Sequence, residues 1–87
     1  MNQTIAAIAT GPVSGPIGII RISGPDTMAV IDRVFHPQDG SAMSRKPSRL
    51  LTYGSLLSRA GDVIDRCLVC VMHAPHSYTG EDMAEIQ

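Results

Sequence analysis

Eighty-seven residues, 44% hydrophobic but only 3% aromatic, make one small domain (1–87) whose interior must come from Ile, Val, Leu, Met and Ala. Seven basic against eight acidic residues leave a net charge of −1, which excludes the broad positive field of a nucleic-acid-coating protein. Two cysteines do not form a secreted disulfide framework, and with no charged leader and no membrane-spanning apolar run the expected compartment is the cytoplasm.

Thr4 to Thr10 is a β-branched, apolar run closed by Gly11-Pro12, and it reads as a strand buried on both faces or paired with a partner. Gly11 to Pro16 is a breaker-rich loop, and Ile17 to Ser23 is the strongest strand in the sequence. Gly24-Pro25-Asp26 then opens a helix, with Pro25 suited to the first helical position and Ser23 or Gly24 near the cap. Met28, Ile31, Val34 and Phe35 form its apolar stripe, and Pro37 is expected to end it.

Gln38 to Arg49 has few large apolar residues and reads as an exposed connection, with Arg45, Lys46 and Arg49 on a solvated loop. Arg49 to Ser58 reads as a strand weakened or bulged at Gly54. Arg59 to Asp62 is a hairpin turn, Val63 to Met72 the returning strand, and Asp82 to Gln87 a further short strand. The order β-β-α-β-β-β implies an α+β fold, one mixed sheet with a single helix on one face. One helix covers little of five strands, so a second helix beyond Gln87 or another chain is expected to cover the rest.

Several residues invite chemistry. Cys67, Cys70, His73 and His76 are spaced like a zinc site, but residues three apart on a strand point to opposite faces, so no metal is assigned to them. Buried structural cysteines and solvent-exposed histidines at a strand exit are expected instead. The glycine-rich loop lacks the Lys-Ser/Thr ending of a phosphate loop, so GTP hydrolysis is not expected of this chain and no catalytic residue is assigned.

Arg21 is the more unusual residue. It shares a strand face with Ile17 and Ile19, where a guanidinium needs a carboxylate, a carbonyl cluster or a ligand anion. Glu85, on a face with Met83 and Gln87, poses the mirror-image problem. An internal ion pair of Arg21 with Glu85 or with Asp65 answers both, and so does one pocket in which Arg21 and Glu85 read a ligand.

Thr4-Ile5-Ala6-Ala7-Ile8-Ala9-Thr10, Gly18-Ile19-Ile20-Arg21-Ile22-Ser23-Gly24, Ala74-Pro75-His76-Ser77-Tyr78-Thr79-Gly80-Glu81-Asp82 and Glu85-Ile86-Gln87 stand in order along nearly the whole chain. Together they resemble the amino-terminal domain of the tRNA modification GTPases MnmE, also called TrmE. The resemblance implies a domain that binds 5-formyltetrahydrofolate and forms a homodimer, with a fold like the folate-binding domain of glycine-cleavage T proteins. It assigns folate binding to Arg21 and Glu85, with a third residue, a lysine, beyond Gln87. It implies that the whole protein, with an MnmG (GidA) partner, modifies carbon 5 of the wobble uridine of tRNA. Helical and G domains would follow this fragment, and GTP, magnesium and potassium would bind in the G domain. Thr10-Gly11-Pro12-Val13 departs from the family's TPPG-like loop, and Cys67 and Cys70 lie outside the family pattern. The alternative is an assembly module that reads no ligand.

Overall fold

The computed structural model describes residues 3–8 and 18–87. The loop expected at 11–16, and the strand residues Ala9, Thr10 and Ile17, lie outside them. Among the described residues six strands form a single sheet in the order β1-β2-β6-β5-β4-β3. They are β1 (Ile5–Ile8), β2 (Ile20–Ser23), β3 (Phe35–Pro37), β4 (Thr52–Leu57), β5 (Val63–Met72) and β6 (Met83–Ile86). Every neighbouring pair is antiparallel, so the expected mixed sheet is corrected to an antiparallel one; the α+β class stands, with one α-helix among the described residues, α1 (Thr27–Val34).

Alternation along the strands separates two faces. Ile22, Ala84 and Val71 lie in one cross-strand row, and Ile86 and Val69 in the next. This is the face that α1 covers through Ile31, forming the core with Phe35 and Met43. The other face carries Arg21, Glu85 and Cys70 in one row and Ser23, Met83 and Met72 in the next.

The helix is shorter than its stripe suggested. Phe35 turns to extended backbone (φ −135, ψ 125) while its N–H still donates to the Ile31 carbonyl. Phe35–Pro37 then pairs with Leu56–Gly54 as a sheet-edge strand, which puts the Phe35 ring fully inside the core. The helix therefore ends at Val34, before Pro37, where the chain passes into β3 and pairs with β4. Pro25 precedes the first helical residue rather than occupying it.

The start of α1 is fixed by contacts from distant segments. The Asp26 N–H donates to Thr4 Oγ1 at 2.8 Å, and the fully buried Thr27 hydroxyl donates to the Asp82 carbonyl at 3.1 Å. The same carbonyl accepts from the Gly24 N–H at 3.1 Å, so the end of the β5–β6 connection is bolted to the helix start. Gly24 has φ +138, and a Cβ there would fall 2.4 Å from the Thr4 Cα, so only glycine lets β1 approach this closely.

Two further expectations change. Gly54 does not mark a bulge: a Cβ there would lie 2.3 Å from the His36 carbonyl oxygen and 2.7 Å from the Phe35 ring. The register shift falls instead between Leu56 and Leu57. The 38–49 connection is not wholly exposed, since Met43 in a 3-10 turn (Met43–Arg45) is fully buried. Asp32 holds that turn by accepting from the Ser44 N–H at 2.9 Å and the Ser44 hydroxyl at 2.5 Å. The hairpin turn stands as read, with the Ser58 N–H donating to the Asp62 carbonyl at 2.7 Å.

β1 pairs with β2 inside the chain, and its four side chains, Ile5 to Ile8, are exposed rather than buried. The helix-free face also remains open towards β4 and β5, with Tyr53 at 46% exposure and Leu68 at 38%. No helix among the described residues is long and apolar enough to cross a membrane.

Candidate functional site

Arg21 and Glu85 sit opposite one another on the adjacent strands β2 and β6. Arg21 Nε donates to Glu85 Oε2 at 2.5 Å. Of the two partners expected for Arg21, the register selects Glu85; Asp65 lies on β5, two strands away, opposite Leu56 on β4. The two ends of the pair differ in setting: the Arg21 side chain is 42% exposed and the Glu85 side chain 10%. A carboxylate sunk in the sheet thus faces a guanidinium that reaches solvent.

The second carboxylate oxygen also has a neighbour. Cys70 lies opposite Glu85 on β5, and its thiol donates to Oε1 at 3.8 Å. Burial first, and then the negative charge and hydrogen bonding of Glu85, push the Cys70 thiol above its ordinary value, while the Arg49 charge acts the other way. Cys67 points to the opposite face, against the core, where burial followed by the Asp65 charge raises it too. The zinc-like spacing therefore does not converge, and among the described residues no cluster of three His, Cys, Asp or Glu side chains is placed to hold a metal. His76 is exposed as expected, but His73 is half-buried, with Nε2 at 2.8 Å from the Lys46 carbonyl oxygen.

The connection from β5 to β6 folds back on this face. Ser23 Oγ lies 2.9 Å from Thr79 Oγ1 and donates to Glu81 Oε2 at 3.4 Å. The connection carries Tyr78, whose ring is contacted by two guanidiniums: the Arg21 carbon is 5.0 Å from its centroid and the Arg49 carbon 5.4 Å. Met72 and Met83, opposite each other in the register, are buried on the same face.

Sequence reasoning missed both Tyr78 and Arg49. Arg49 clusters with Arg45 and Lys46 in the sequence, but the three separate in space. Lys46 pairs with Asp39, Arg45 is exposed, and Arg49 turns towards Tyr78. The hydrogen bond from the Lys46 ammonium, followed by those from the Ser41 hydroxyl and N–H, holds the Asp39 carboxyl below the usual carboxylate range. No sequence signal announces the left-handed backbone (φ 70) that aims Arg49.

The Arg21–Glu85 site lies on the sheet face opposite α1. Hollows of about 330 Å³ (Phe35, His36, Pro37 and Ala42 among its walls) and about 470 Å³ (His36, Tyr53, Ser55 and Arg66) lie at the far edge of the sheet. The second has no carboxylate in its wall to match Glu85.

Against known families, residues 4–87 match the model described as "GTP-binding protein TrmE N-terminus". The chain belongs to the TrmE N-terminal family. Among its relatives is the tRNA modification GTPase MnmE of Symbiobacterium thermophilum, 51% identical over 86 residues and covering 99% of this chain. Those of Chloroflexus aurantiacus and Parabacteroides distasonis are 49% identical over 86 residues and 46% over 85, covering 99% and 97% of this chain. The chain spans about a fifth of the length of these relatives, 19% of the first and 18% of the other two. The TrmE N-terminal match thus takes in β1, the Arg21 strand, the Tyr78 connection and Glu85 together.

Proposed function

We propose that this domain binds 5-formyltetrahydrofolate at Arg21 and Glu85 and serves a tRNA modification GTPase. The observation that supports this reading is the geometry of Glu85, a shielded carboxylate already accepting a hydrogen bond from a guanidinium at 2.5 Å. The exocyclic amino group and ring N–H of a pterin offer the same planar, parallel donor pattern as a guanidinium. A pterin can therefore take the place of Arg21 against Glu85, while Arg21, with part of its side chain in solvent, swings to donate to folate oxygens. The ligand would supply the one-carbon unit. Arg21, Glu85 and the ring of Tyr78 would bind and orient it.

In the full-length protein this domain would work in the cytoplasm beside a GTP-hydrolysing domain that uses magnesium and potassium. With an MnmG-type partner the whole would modify carbon 5 of the tRNA wobble uridine. The fold would then correspond to the folate-binding domain of glycine-cleavage T proteins.

Calorimetric titration of the full-length protein with 5-formyltetrahydrofolate tests the reading. Arg21→Ala and Glu85→Ala should each abolish measurable binding while circular dichroism stays unchanged. Wild-type affinity in both variants would refute it.

A specific observation also favours an assembly role. β1 is an edge strand whose Ile5 and Ile8 are 60% and 75% exposed. An exposed apolar strand at the sheet edge invites pairing or packing with another copy. Homodimerisation through this strand would be seen as concentration-dependent sedimentation that Ile5→Lys with Ile8→Asp abolishes; a strict monomer at high concentration would exclude it.

A further inference from the structure

We infer that Arg49 is a second ligand-reading cation of the Arg21–Glu85 site, and that it takes the acidic tail of the bound folate. The inference rests on the folate reading above and adds to it a residue outside the Arg21 and Glu85 pair.

Three observations set Arg49 apart from an ordinary surface arginine. Its backbone has φ 70, a conformation that a residue with a side chain holds only where its surroundings fix it. The Arg49 N–H donates to the Val71 carbonyl at 2.8 Å, the preceding Ser48 Oγ accepts from the His73 N–H at 3.0 Å, and the Lys46 carbonyl meets His73 Nε2 at 2.8 Å. The 46–49 segment is thereby pinned to the end of β5, one strand from Glu85.

The second observation is the direction in which the guanidinium is held. It lies over Tyr78, on the same ring that Arg21 touches, so both cations address one patch of the sheet face. The third is that Arg49 has no carboxylate. Among the described residues Glu85 is taken by Arg21 and Asp39 by Lys46, and Glu81 is turned to Ser23. Two guanidiniums share the patch with one shielded carboxylate, which leaves a positive charge unmatched beside Tyr78.

The chemistry of the three groups then constrains the ligand. Glu85 only accepts hydrogen bonds, and arginine only donates them. A ligand that satisfies all of them brings N–H donors at one end, acceptors or an anion at the other, and a flat segment that can lie on Tyr78. A reduced folate has this order: pterin donors, an aminobenzoyl ring and a glutamate tail. The planar guanidinium fork suits a carboxylate better than an ammonium would.

Three probes titrated into the full-length protein test this: 5-formyltetrahydrofolate, its triglutamate, and 5-formyltetrahydropteroate, which lacks the tail. Wild type should bind the two tailed forms at least about tenfold more tightly than the pteroate, the scale of one charge-assisted hydrogen bond. Arg49→Gln should erase that preference, bringing all three to the affinity of the wild type for the pteroate. Arg49→Lys should retain part of it, and urea midpoints should show all variants folded. No tail preference in the wild type, an equal loss across all three probes in Arg49→Gln, or no loss at all would each overturn the assignment. Glu85→Gln separates this from the underlying reading. If it abolishes binding while Arg49→Gln leaves the preference intact, only the Arg49 role falls; if it binds all three like wild type, both fall.

Discussion

Breaking the Arg21–Glu85 pair from either end should cost different amounts of stability, because the two side chains sit in different surroundings. Arg21→Ala leaves the Glu85 carboxylate, 10% exposed, with the Cys70 thiol at 3.8 Å as its remaining side-chain donor among the described residues. An uncompensated buried acceptor of this kind costs about 1–3 kcal/mol. Because the Arg21 side chain is 42% exposed and solvent screens its end of the pair, the lower part of that range, about 1–2 kcal/mol, is expected. Glu85→Gln keeps the side chain's volume, removes the charge, and leaves a guanidinium that water already reaches. That change should cost less than about 1 kcal/mol. The double variant Arg21→Ala/Glu85→Gln should be more stable than Arg21→Ala alone, since the stranded charge is gone. Thermal melts monitored by circular dichroism will resolve the differences, since each 1 kcal/mol moves the midpoint of a domain this size by about 4–8 °C. If Glu85→Gln proves as costly as Arg21→Ala, or the double variant no better than Arg21→Ala, the asymmetric burial of the pair is wrong.

Other outcomes follow from the packing and the thiols. Gly54→Ala places a Cβ 2.3 Å from the His36 carbonyl oxygen and should destabilise by about 1–3 kcal/mol in urea unfolding; a neutral result would mean that β3 can shift away from β4. Met43→Ala removes a fully buried side chain from a segment otherwise at the surface, and a loss of about 2–5 kcal/mol is expected, against near zero if the 3-10 turn were merely a surface loop. The raised Cys67 and Cys70 thiols carry a definite pH sign. The folded chain keeps protons that the unfolded chain releases, so their contribution is intact below the unfolded thiol value, near 9.0, and is lost as pH rises through the higher folded values. Urea midpoints should therefore fall between neutral pH and about pH 10, and Cys67→Ala/Cys70→Ala should flatten the fall; an unchanged slope would contradict this origin.

The parts of the fold legible in sequence are those governed by local pattern. The hairpin β4–β5 follows from the Arg59–Asp62 turn between two apolar runs, and the alternation around Arg21 correctly put it on the face opposite Ile20 and Ile22. What escaped was set by tertiary contacts. Phe35 fits a helical stripe equally well as the start of a strand, and only the mate on β4 decides between them. Met43 is one apolar residue in a polar stretch, a signal too sparse to mark an anchor. The pairing of Arg21 with Glu85, rather than Asp65, depends on β6 inserting between β2 and β5, a register no periodicity encodes. Arg49 reached the site through a backbone twist that arginine rarely adopts, and Tyr78 through a connection held by Ser23 and Thr79.

A crystal structure of the full-length protein with 5-formyltetrahydrofolate would bear hardest on the assignment of Arg21 and Glu85. The expected result is the pterin amino group and ring N–H on the Glu85 carboxylate, with Arg21 displaced from Oε2 and donating to the ligand. A folate bound elsewhere, with the 2.5 Å Arg21–Glu85 contact intact, would contradict it and leave the pair as a purely structural link between β2 and β6.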